Sequence, residues 1–283
     1  MRADGVTNEG ARRVRPPRYL NVVRDPRDEE LGATIDWSSW YLTDEEDMGE
    51  SPEQEQIIDK TKSSLRVLQR ERGWTRTHVA GDQFFAWIRE EPLVRVSPDV
   101  YSLDDPPAPP FPRSWKTWKP GQLPPRFAVE VVSGDDRKRG RWSKDYHDAP
   151  EKYGQLGTRE LVVFDPDVLL GLAPEPGRVA LQLFRREGDG SFVRVYSGNG
   201  PARSEEVDAW LVARLEEAAP RLRLARDELG AEIVPTEGEL LVEKDKVLAE
   251  KDAAIAKKDE TIAKKDEAIA ALREELDRLR HRS

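Results

Sequence analysis

The chain contains no cysteine, which excludes disulfides, thiolate metal sites and a cysteine nucleophile. Histidine is nearly as scarce. His78, His147 and His281 are the three in 283 residues, which leaves little room for a histidine metal centre. No apolar run approaches the roughly 18 residues of a membrane span, and the first residues lack the apolar stretch of a signal peptide. The expectation is a cytoplasmic protein with no membrane partner. No Walker-type or dinucleotide-type glycine spacing occurs, and Gly134 and Gly140 do not make a phosphate cradle. No Ser/His/Asp arrangement is supported. The formal net charge of −9 argues against coating of nucleic acid by the whole surface, while leaving room for a local basic groove.

What is present is charge, and it is unevenly placed. Charged residues make up 36% of the chain against 37% apolar, with the excess concentrated at the two ends. Three regions follow: a flexible basic arm over residues 1–30, a mixed α/β domain over 31–238, and a heptad-repeat tail over 239–283. In the middle region Ser51 before Pro52 has the form of a helix N-cap. Ile57, Ile58, Leu65 and Leu68 then recur at helical spacing to about residue 72. Residues 79–88 and 93–103 read as strands joined by a polar turn at 89–92. The proline-rich stretch 105–125, with Trp115 and Trp118, reads as a surface loop. A strand over 126–133, a helix over 150–156 capped by Gly157, and a strand over 160–165 follow. Residues 179–185 and 191–196 form an expected hairpin, and 204–211 resembles a short helix start. The order helix, three strands, helix, strand describes an α/β layer with helices on a sheet face.

Two acids stand out on those strands. Asp99 follows Pro98 in LVRVSPDVYSL, and Glu130 interrupts the Val-rich RFAVEVVS. A charge inside an apolar strand is costly unless something binds it. Paired carboxylates are hard oxygen donors of the kind that hold Mg²⁺ or Mn²⁺ for phosphodiester hydrolysis. The plainer readings are a solvent-facing strand residue for Glu130 and a turn residue after proline for Asp99. A lysine to orient water or stabilise charge would come from Lys144 or Lys152, each of which could equally be a surface residue. Arg137, Lys138, Arg139, Arg141 and Lys144 form a basic run suited to phosphates, or simply a solvated loop. His147 is a lone loop histidine that could serve as a base.

In the tail an apolar residue returns every seven positions: Leu241, Leu248, Ile255, Ile262, Ile269, Leu276. The second seam position holds Lys251, Lys258 and Lys265, becoming apolar only at Leu272 and Leu279. A dimeric or trimeric coiled coil is one reading. A solvated single helix held by acid–lysine pairs, each worth ~0.2–0.5 kcal/mol, is the other.

The segments EEDMGES, RVSPDVYSL, FAVEVVS and KYGQLGTRELVVFDP, with ARSEEVDAWLV, LRLARD and VPTEGE further on, resemble the Uma-two family over about residues 35–240. These bacterial proteins are described as restriction endonucleases of the PD-(D/E)XK superfamily. The resemblance implies a restriction-endonuclease-like α/β core, helix, three strands, helix and strand, with Mg²⁺ (or Mn²⁺) as cofactor and DNA as substrate. Asp99 then matches the aspartate of the PD element and Glu130 the acid of the following strand. Glu50 matches an acidic position that could add a metal ligand. The superfamily lysine two residues after the acid falls at Val132, and the family's alternative, four residues before Tyr153, falls at Ala149. Lys144 and Lys152 therefore stay open as the catalytic lysine. The expected activity is a metal-dependent DNA endonuclease, a homo-oligomer through its coiled coil with two sites facing two strands. The alternative is an inactive nuclease-fold module that binds nucleic acid or scaffolds through its tail.

Overall fold

The computed structural model describes residues 51–133 and 142–280, and divides the chain into two units, 1–234 and 235–283. Glu50, the basic residues 137–141, and the N-terminal arm lie outside the described residues. Helix α1 (Pro52–Glu71) starts where a side chain can replace the missing backbone partner: the Ser51 hydroxyl accepts from the Gln54 N–H at 3.2 Å, with proline in the first turn. Its apolar face buries Ile57, Ile58, Leu65, Val67 and Leu68. Each such side chain contributes about 1.5–3 kcal/mol of burial. Truncating Leu68, which is wholly buried, would leave a cavity in that face and cost about 2–5 kcal/mol.

The main sheet has six strands in the order β1-β4-β6-β7-β8-β9. These are β1 (Thr77–Ala80), β4 (Val100–Asp104), β6 (Phe127–Val131), β7 (Glu160–Phe164), β8 (Leu181–Arg186) and β9 (Phe192–Gly198). Only β6 and β7 run parallel, and the crossover between them carries a helix, as a parallel pair requires. That crossover enters through a π-helical turn, Lys144–Asp148, continues as α2 (Ala149–Leu156) and ends at Gly157, whose φ of 96° is the left-handed cap glycine permits. Helix α3 (Pro166–Leu170) follows β7.

The strands alternate so that each face of the sheet has its own core. Phe127, Val129 and Val131 of β6 pack with α1 and with a three-stranded sheet made of β10 (Ala202–Ser204), β11 (Ala209–Glu216) and β12 (Ala219–Ala225). Ala128 and Val132 face the other way, toward Tyr146, Tyr153 and Leu156 of the crossover helix. A second small sheet, β3-β2-β5, joins that side: β2 (Phe84–Ala86), β3 (Arg95–Val96) and β5 (Ser114–Lys116).

Three sequence expectations change here. Residues 79–88 and 93–103 are not two strands but four short ones shared between two sheets. The first breaks at Gly81–Asp82, where Asp82 takes φ 56°, and the second at Pro98, which cannot donate to a ladder. The proline-rich stretch is not all surface: Trp115 is completely buried, and β5 pairs with β2 in parallel. Residues 204–211 are no helix start. They span a turn between β10 and β11, and the β11–β12 hairpin closes on Glu217 and Ala218, both at positive φ (52° and 65°) without the glycine that usually marks such a turn.

The second unit contains helix α4 (Glu237–Arg280), 44 residues long. Its start is a reciprocal cap. The Thr236 hydroxyl accepts from the Glu239 N–H at 3.1 Å, and the Glu239 carboxylate accepts from the Thr236 N–H at 2.6 Å. Among the described residues no helix is long and apolar enough to cross a membrane.

Candidate active site

The β4–β6 register places the two singled-out acids side by side. Val100 lies opposite Val129, so one step further along the antiparallel pair puts Asp99 opposite Glu130. There the ladder is modified: Asp99 Oδ2, rather than a carbonyl, accepts the Val131 N–H at 2.6 Å. The backbone of Asp99 is held from its other side by the β1–β2 loop. The Asp82 N–H donates to the Pro98 carbonyl at 3.1 Å, and a Cβ at Gly81 would stand only 2.2 Å from the Asp99 carbonyl oxygen. Gly81 is therefore needed for close approach, the role glycine plays when two backbones must touch.

Glu130 sits mid-strand between β4 and β7, opposite Val163. The Tyr153 hydroxyl, reaching from α2, donates to Glu130 Oε1. Burial pushes the Glu130 carboxyl well above the usual carboxylate range, and the charges of Asp99 and Asp145 push it further; the Tyr153 hydrogen bond and the Lys152 ammonium pull it back. The Tyr153 hydroxyl is raised in turn, first by burial and then by Glu130, Asp99 and Asp145. Three carboxyls and one ammonium thus share one electrostatic neighbourhood around the middle of β6.

Of the residues expected from sequence, Asp99, Glu130 and Lys152 fall in this neighbourhood. Lys152 is half-buried beside Tyr153, whereas Lys144 is exposed on the π-helical turn. His147 is exposed against the Trp142 ring, at 6.4 Å between centroids. Val132, where a superfamily lysine would stand, is buried in the apolar cluster around α2. The sequence reading did not single out Asp145, Tyr153 as a partner of Glu130, or Gly81. Asp145 gives no sequence signal, since it lies among five charged or aromatic neighbours. Tyr153 could have been anticipated from its place next to Lys152 on a short helix crossing over the sheet.

The donor set suits a hard divalent cation. Asp99 and Glu130 offer adjacent carboxylate oxygens, and their mutual repulsion is what a bound cation would relieve. Among the described residues no group of three acidic or histidine side chains converges as a ligand cluster. A two-carboxylate site completed by water and substrate oxygens is the usual habit of Mg²⁺.

No protein-family model matches the chain, and no curated protein matches it. A crystal structure from Anabaena variabilis ATCC 29413, described as "a putative nuclease belonging to DUF820", is similar to this chain at 10% identity with a TM-score of 0.35, over 56% of this chain and 75% of that one. Likeness at that level establishes neither a family nor an activity.

Proposed function

We propose that the domain over residues 31–238 is a restriction-endonuclease-like nuclease that hydrolyses DNA phosphodiester bonds with Mg²⁺ or Mn²⁺. The observation that carries this reading is the placement of Asp99, immediately before β4, beside Glu130 of β6, where burial and the charges of Asp99 and Asp145 push the Glu130 carboxyl above the usual carboxylate range. The motif resemblance to the Uma-two family supports it. Asp99 and Glu130 would hold the cation, with Glu50 as a further candidate ligand. The cation would polarise the phosphodiester and supply a water of lowered pKa. Lys152, beside the acid pair, stabilises negative charge and orients water; Lys144, at the other end of the same crossover, is the second candidate. The Tyr153 hydroxyl holds one oxygen of the Glu130 carboxyl. Lys144, exposed on the crossover, would contact backbone phosphates.

A second reading is a nuclease-fold module without catalysis, which binds nucleic acid or scaffolds. The buried, apolar Val132 favours it, because that strand position offers no ammonium to the acids. Plasmid nicking with Mg²⁺ or Mn²⁺ separates the two. The nuclease reading requires nicking by the wild type that disappears in Asp99→Asn and Glu130→Gln and weakens in Lys152→Ala. Equal nicking by all of them would assign the activity to another site or a contaminant. DNA binding without nicking would leave the module.

A further inference from the structure

Helix α4 places six of its large apolar residues on one stripe: Leu241, Leu248, Ile255, Ile262, Ile269 and Leu276, each between 46% and 60% exposed. The spacing is seven throughout. In a straight helix a strict seven-residue line drifts by ~20° per heptad, about 100° over this length. A flat protein surface cannot follow such a line, but a second helix in a left-handed supercoil does.

We propose that the occupant of this stripe is the same stripe of a second copy of the chain, in a parallel, in-register, two-stranded coiled coil. Three observations select a second copy over an unrelated helix. First, the blocks AEKDAAI, AKKDETI and AKKDEAI are near-identical, so an in-register copy presents matching layers over residues 249–269. Second, β-branched isoleucine occupies the repeating seam position at 255, 262 and 269 with leucine at the other seam position at 272, and the lysines at 251, 258 and 265 narrow the apolar seam to one that two strands can cover. Third, the other seam position carries Lys251, Lys258 and Lys265, each followed by an aspartate: Asp252, Asp259 and Asp266. In a parallel pair the lysine stem lies along the apolar seam and its ammonium reaches the aspartate of the second copy, so the charge pattern complements itself. A lone helix would have only internal pairs such as Glu260–Lys264 (2.7 Å), which give the isoleucines nothing to pack on. The inference is independent of the hydrolase reading.

The absence of native cysteine makes the test clean. Full-length chain should sediment at twice the 32.2 kDa of one copy. Full-length Ile262→Cys should form a disulfide-linked pair on mild oxidation, while Ala253→Cys, on the opposite side of the repeat, should not. Ile255→Lys with Ile262→Lys should weaken association by at least about a hundredfold while leaving the melting of the domain unchanged. A single-copy mass at tens of micromolar, or cross-linking at 253 rather than 262, overturns the proposal. A three-copy mass overturns the two-stranded form. Cross-linking between Leu241→Cys and Leu276→Cys chains mixed together overturns the parallel one.

Discussion

Glu130 and Glu160 stand on adjacent parallel strands, three residues apart in register, and both are taken largely out of water. Their surroundings are opposite. Around Glu160 the protein supplies positive partners: Arg185 Nε at 2.7 Å, the Ser204 hydroxyl, and the backbone N–H groups of Glu205 and Glu206 at 3.0 and 3.3 Å. Asp165, at the far end of β7, is treated the same way, with Arg178 contacting both its oxygens at 2.8 Å. Around Glu130 the protein instead gathers two more carboxyls, and one phenol and one ammonium offset only part of that charge. A buried acid matched by donors is a joint of the fold. A buried acid crowded by other acids is the pattern of a site poised to take a cation.

The widest gap between the two acids should show in activity and stability measured together. Glu130→Gln should cut the rate of metal-dependent plasmid nicking by at least about a thousandfold, since it removes a candidate metal ligand, while urea unfolding stays near that of the wild type. Arg185→Met should do the reverse, lowering unfolding free energy by ~3 kcal/mol because it strands Glu160 buried without its cation. If Glu130→Gln were the more destabilising of the two, the contrast between the sites would collapse.

Gly81→Ala tests how the acid pair is held. A methyl group 2.2 Å from the Asp99 carbonyl must push the loop aside. The expected cost is ~2 kcal/mol of stability, together with weaker Mn²⁺ binding by calorimetry; unchanged binding would detach the loop from the site.

The smallest effects concern protons. A carboxyl whose folded pKa lies above its unfolded value stabilises the fold fully below the unfolded value, and that contribution is lost as pH rises through the folded one. Stability should therefore decline with rising pH above the ordinary glutamate range, and Glu130→Gln should flatten that slope in denaturation curves. Tyr153→Phe, which removes a donor that lowers the Glu130 pKa, should move the decline to higher pH and cost ~1 kcal/mol. Cation binding needs the deprotonated carboxylate, so Mn²⁺ affinity should rise over the same window, with proton release visible as a buffer-dependent heat.

Much of this was legible in the residues. Ser51–Pro52 marks the start of α1, Gly157 the end of α2, and the Val-rich run around Glu130 a doubly covered strand, because each signal is local: a cap, a positive φ, an alternation. What was not legible depends on distant pieces meeting. Nothing near Gly81 announces that its backbone will touch Asp99, and nothing in the PPAPPFP stretch announces that Trp115 will be buried beside Phe85. The hairpin at Glu217–Ala218 lacks the usual Asn-Gly mark, and the stretch 204–211 leading into its first strand reads as a helix start. Arg185 and Ser204 are what make Glu160 structural, and they lie 25 and 44 residues away from it.

The reciprocal cap between Thr236 and Glu239 has an evolutionary consequence. The instruction to begin the long helix is written within four residues at its own head, and both halves of the bond come from the same stretch of chain. A genetic rearrangement that copied residues 235–280 behind another domain would carry that instruction with it, so the tail can be exchanged between proteins as a cassette without redesigning its point of attachment.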